Sequence, residues 1–89
     1  MTAATQSRRK IGEVVAHQMM RNGLRVFVVT GAEGSLHVGG EIALGKAPLI
    51  TVNGLERDGQ PIESVGGGAK VSFHLSDNRI IPNGTPVFA

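Results

Sequence analysis

The stretch Gly34–Gly45, GSLHVGGEIALG, limits the fold more than any other part of this chain. Leu36, Val38, Ile42 and Leu44 supply apolar side chains, while Gly34, Gly39, Gly40 and Gly45 cut the run into short pieces. Each glycine costs about 1 kcal/mol in a helix interior, so a helix does not survive here. Glycine is instead the residue that turns a strand sharply or lets two backbones approach. The segment reads as two short strands joined by a tight turn at Gly39-Gly40.

The same pattern extends in both directions. Leu24–Thr30 (LRVFVVT) is rich in Val and Phe and reads as a strand. Before it, Ile11, Val14, Val15, Gln18 and Met19 fit a helical stripe almost as well as a strand. Asn22-Gly23 favours the strand, because it is the preferred pair for a two-residue hairpin turn with positive φ at both positions. The pair also ends a helix well, so residues 8–20 stay open between strand and helix at this level. Further on, Leu49–Leu55 carries β-branched residues between Pro48 and the turn signal Asp58-Gly59. Gln60–Val65 is short, and Pro61 suits a strand start or a sheet edge. Gly66-Gly67-Gly68 reads as a turn. In Lys70–Leu75 the residues alternate, with Val71, Phe73 and Leu75 on one face and Lys70, Ser72 and His74 on the other. Pro86-Val87-Phe88 is a last apolar piece.

Short strands with turn signals every 8–12 residues predict an all-β fold, a small barrel or sandwich, and the expectation taken forward is a small antiparallel β-barrel of six to seven strands. At 89 residues there is room for one domain. The expected organisation is a flexible basic tail over 1–9 and a single barrel over 10–89. A chain of this size buries only about 60–65% of the surface it exposes when unfolded, so its core is thin unless a partner covers one side.

Charge narrows the function classes. Residues 1–25 carry Arg8, Arg9, Lys10, Arg21 and Arg25 against Glu13 alone, while the remainder is net acidic. A basic strip of this kind recognises backbone phosphate without base specificity. In the hairpin reading Arg21 and Arg25 lie near one end and Arg8–Lys10 enter at the other, with Lys70 and His74 extending the strip. Ordinary solvated surface charge is the competing account of the same residues. The chain has no Trp or Tyr and only three Phe, which argues against a stacking platform for single-stranded nucleic acid.

Catalysis finds no support. No cysteine is present, so disulfides and thiolate metal sites are excluded. His17, His37 and His74 lack ligand-like spacing. The serines lack a nucleophile-elbow context, and GGGAK at Gly66–Lys70 lacks the spacing of a phosphate-binding loop. The expectation is a non-enzymatic protein without cofactor or metal. No apolar run approaches the ~20 residues of a membrane span, and a cytoplasmic location is the default expectation.

At the central stretch a family resemblance enters. GSLHVGGEIALG resembles the strand–turn–strand signature of the second-domain β-barrel of translation factors, with Gly34, Leu36, Val38, Gly39 and Ile42 on its positions. Asn53–Leu75 is similar to the later half of that barrel, through Asp58-Gly59, Pro61-Ile62-Glu63-Ser64-Val65 and Gly68-Ala69-Lys70-Val71. The closing IIPNGTPVFA is similar to its end. The version nearest in look is the C-terminal barrel of collagenase-like peptidases, whose opening strand resembles Lys10-Ile11-Gly12-Glu13-Val14. Gly39-Gly40 and Gly68-Ala69 stand where these barrels usually carry Gly-Asp. The catalytic and GTP-binding residues of these families lie in other domains, so none carries over. The resemblance implies an accessory barrel that docks RNA or a ribosome- or tRNA-related partner. Arg8, Arg9, Lys10, Arg21, Arg25 and Lys70 are the candidate phosphate contacts. The alternative is a structural or assembly module, such as a small phage particle component, that forms a protein–protein oligomer. The Met19-Met20 pair and the Val-Phe terminus favour that alternative, since Met adapts to irregular contact surfaces.

Overall fold

The computed structural model describes residues 8–76 and 79–89. Among them every regular element is a strand, and no helix is long and apolar enough to cross a membrane. The first two strands, β1 (Lys10–Met20) and β2 (Gly23–Thr30), form an antiparallel hairpin running from Gly12↔Thr30 to Met20↔Gly23. This resolves the open reading of residues 8–20, since from Lys10 onward the chain is strand. A register shift between Val14 and Ala16 marks a bulge at Val15.

The turn itself is framed one residue earlier than the sequence predicts. Arg21 and Asn22 are the loop residues, and Gly23 already pairs with Met20. Asp58 is the only non-glycine with positive φ among the described residues, so Asn22 does not adopt the expected conformation. Glycine is required at position 23 for another reason. Its φ is 146°, and a Cβ there would run into the Leu75 carbonyl oxygen on the neighbouring strand.

The glycine-cut centre gives β3 (Ser35–His37) and β4 (Glu41–Leu44), with the turn closed by Gly40 N–H donating to the His37 carbonyl at 3.0 Å. The two strands do not pair with each other. After β5 (Ile50–Thr51), β6 (Leu55–Arg57) and β7 (Gln60–Ile62), the chain forms β8 (Ser64–Gly66), which pairs with β3 in a separate two-stranded ribbon. β4 instead joins β5 and the last strand, β10 (Pro86–Phe88). The turn at Gly39-Gly40 is therefore a corner between sheets.

β9 (Lys70–Leu75) lies along β2 over six residue pairs, from Leu24↔Leu75 to Val29↔Lys70. The main sheet runs β5-β4-β10-β1-β2-β9-β6-β7 and curls into a half-barrel. The all-β antiparallel class is as expected, but the described residues form ten strands where six to seven are predicted. Pieces as short as Ile50–Thr51 and Ser64–Gly66 carry no periodicity of their own and exist because a neighbour pairs with them, β4 in the first case and the distant β3 in the second. Pro61 sits on β7, the outer strand at one end of the sheet, where its missing N–H costs nothing.

Alternation along the strands builds the core. Leu24, Val26 and Val28 of β2 and Val71, Phe73 and Leu75 of β9 point inward with Val14, Leu36, Ile42, Val52, Leu55 and Val87. Burying each such side chain is worth about 1.5–3 kcal/mol. Ser72 departs from the expected alternation, being buried on the outer face where Glu56 of β6 pairs opposite it. One polar anchor ties the β2 end to the glycine-rich turn: the buried Thr30 hydroxyl accepts from Gly68 N–H at 3.0 Å and from Ala69 N–H at 3.1 Å.

Candidate functional site

The six predicted phosphate contacts fall in three places. Arg8, Arg9 and Lys10 stand at the foot of β1, and Arg21 sits on the hairpin tip. A strand of this length separates foot from tip by about 33 Å, at about 3.3 Å per residue. Arg25 and Lys70 occupy the outer face of β2 and β9 between them.

That outer face is built by register. Arg25 is opposite His74, Phe27 opposite Ser72, and Val29 opposite Lys70. Side chains alternate along each strand, so Arg25, Phe27, His74, Ser72 and Lys70 share the face turned away from the core. The Lys70 ammonium lies 5.7 Å from the centre of the Phe27 ring, within range of a cation–π contact. Two adjoining clefts open here. One, of about 330 Å³, is lined by Arg25, Asn53, Glu56, Ser72, His74 and Ser76. The other, of about 240 Å³, lies over Phe27, Asp58 and Lys70, and shares Arg25, Glu56 and Ser72 with the first.

Acids moderate the charge of these residues. Arg25 Nη1 is 3.4 Å from Glu56 Oε1, Lys10 Nζ is 2.8 Å from Glu13 Oε1, and Arg9 Nη2 is 4.0 Å from Glu33 Oε1. All three pairs are solvated, and such pairs are worth roughly 0–1 kcal/mol, so a phosphate can compete for these cations at little cost. Glu56 lines both clefts, and its carboxylate repels an anion there, the more so when Arg25 turns from it.

Sequence reading missed Glu56, Asn53, Phe27 and Ser76 as neighbours of Arg25 and His74. The Asp58-Gly59 turn announces the β6–β7 hairpin, but no local signal says that β6 docks beside β9. The three histidines lie on β1, β3 and β9, and no cluster of three or more His, Asp or Glu among the described residues is placed to hold a metal. Compared with protein-family models, curated proteins and solved structures, the chain matches none.

Proposed function

We propose that this chain is a non-enzymatic β-barrel module that docks RNA, or a ribosome- or tRNA-related partner, through the outer face of β2 and β9. The observation that carries this reading is the grouping of Arg25, Phe27, Lys70 and His74 on one solvated sheet face beside two clefts. Arg25 and Lys70 supply charge for backbone phosphates. Phe27 offers one ring face to a base, and the exposed Ser76 adds a hydroxyl donor and acceptor. Arg21 at the tip and Arg8–Lys10 at the foot extend the electrostatic footprint along the hairpin. The resemblance of Gly34–Gly45 and Asn53–Leu75 to translation-factor barrels supports the same partner class.

The test is fluorescence anisotropy with labelled bulk tRNA over a salt series. Binding at low salt should weaken steeply toward physiological salt, and Arg25→Ala combined with Lys70→Ala should reduce both the affinity and the salt slope. Absence of binding at low salt, or binding untouched by that double substitution, would overturn the reading.

The second reading, an assembly module, draws on a different observation. Met19 is 64% exposed and Ile80 is 87% exposed, apolar surface that a protein partner would cover. It predicts a mass that rises with concentration and is indifferent to Arg25 and Lys70.

A further inference from the structure

The hairpin β1–β2 leaves part of a strand edge bare. Met20↔Gly23 closes a two-residue loop, so the pairs that exchange backbone hydrogen bonds are Met20/Gly23, Gln18/Arg25 and Ala16/Phe27. The alternate residues, His17 and Met19, turn their N–H and C=O groups away from β2. On that side β10 pairs only as far as Glu13, and the last contact is at Val14, whose N–H donates to Thr85 and whose carbonyl accepts from Gly84. Beyond Val14, no backbone hydrogen bond reaches His17 or Met19 on that side among the described residues.

Bare edges are templates for pairing, and proteins usually protect them with charge, proline or brevity. The outer strands of the main sheet are protected in this way: β7 carries Pro61, and β5 has two residues. Val15–Met20 (VAHQMM) has no Lys, Arg, Asp, Glu or Pro. Its inner face is equally unguarded, since Met19 stands beside the fully buried Leu24 yet is 64% exposed.

We infer that Ala16–Met20 is a dimerisation edge, where β1 pairs antiparallel with β1 of a second copy about a two-fold axis at Gln18. The occupant follows from the register. A two-fold at Gln18 sets His17 against the partner's Met19 and Met19 against the partner's His17, so every outward N–H meets an outward C=O. Gln18 then faces the partner's Gln18, and Ala16 faces the partner's Met20. No like charges meet in these pairs. Val15, the bulge, and Arg21, a loop residue, lie outside this register, so the paired segment is Ala16–Met20 of each copy. The interface is short, and the dimer is accordingly weak and concentration-dependent. It leaves the Arg25–Lys70 face free, so it is independent of RNA docking.

Analytical ultracentrifugation over a concentration series tests this, with amide hydrogen exchange on the same samples. The wild-type chain should pass from monomer to dimer, and the His17 and Met19 amides should gain protection as it does. Met19→Lys should abolish the dimer by setting charge on the edge. Met19→Pro should do so by deleting an N–H that the β2 ladder does not use, and circular dichroism on both variants establishes that the fold persists. A wild-type chain that stays monomeric at millimolar concentration would overturn the inference. So would a dimer that survives in folded Met19→Lys, or one whose His17 and Met19 amides exchange as in the monomer.

Discussion

At the scale of single residues, close backbone approach decides several identities. A Cβ on Gly34 would drive into the Ile11 carbonyl of β1, at the point where the chain leaves the main sheet for the β3–β8 ribbon. The φ of Gly34 is not positive, so the constraint is steric, not conformational. Gly34→Ala should cost about 1–3 kcal/mol, as overpacking does, and the midpoint of urea unfolding measures it. Thr30 is decided by hydrogen bonding in the same region. Its hydroxyl is the acceptor for two backbone donors; Thr30→Val keeps the shape but leaves Ala69 N–H unpaired, while Gly68 N–H keeps only its 3.2 Å bond to the Gly31 carbonyl. About 2 kcal/mol should be lost, read from the same unfolding curves. Neither role is legible in the sequence, because the partners of Gly34 and Thr30 lie 23 and 38 positions away.

Among the elements, the hairpins differ in how far their turns can be read. Asp58 and Gly59 have φ of 53° and 78°, so both central positions of the β6–β7 turn are left-handed, as an Asp-Gly pair between strands predicts. Asp58→Val puts a β-branched residue in that conformation. It should cost about 1–2 kcal/mol, measured by thermal unfolding, whereas Asp58→Asn should be close to neutral. The Asn22-Gly23 turn obeys other forces. There the neighbouring β9 backbone demands glycine at position 23, and the loop moves back to Arg21-Asn22. β9 flanks both hairpins, but its backbone reaches the turn only at Gly23, and local turn preference wins at Asp58-Gly59, where nothing approaches the turn that closely.

For the molecule as a whole, cohesion comes from a single cluster of buried aliphatic side chains together with Phe73, not from charge. The ion pairs Arg9–Glu33, Lys10–Glu13 and Arg25–Glu56 are all solvated. Raising sodium chloride from 0.05 to 0.5 M, as a rough test range, should therefore change the unfolding free energy by less than about 1 kcal/mol. The RNA docking proposed above should, over the same range, lose affinity by orders of magnitude. That contrast separates the electrostatics of docking from those of folding.

Composition and spacing alone settled the class of this protein. Glycines every few residues from Gly31 to Gly45 exclude a helix there, and runs such as Leu24–Thr30 and Lys70–Leu75 read as strands, because strand formation and face burial are short-range properties of the chain; only residues 8–20 stayed open. Which strand lies beside which was decided only by tertiary structure. β10 inserts between β4 and β1, and β6 docks on β9, through pairings between residues far apart in sequence. Those pairings put Glu56 next to Arg25, gather Arg25, Phe27, Lys70 and His74 on one face, and leave His17 and Met19 on an open edge. Backbone hydrogen bonding between strands is the same for nearly every residue type. The sequence can therefore announce a strand, but only packing of the whole core chooses its neighbour.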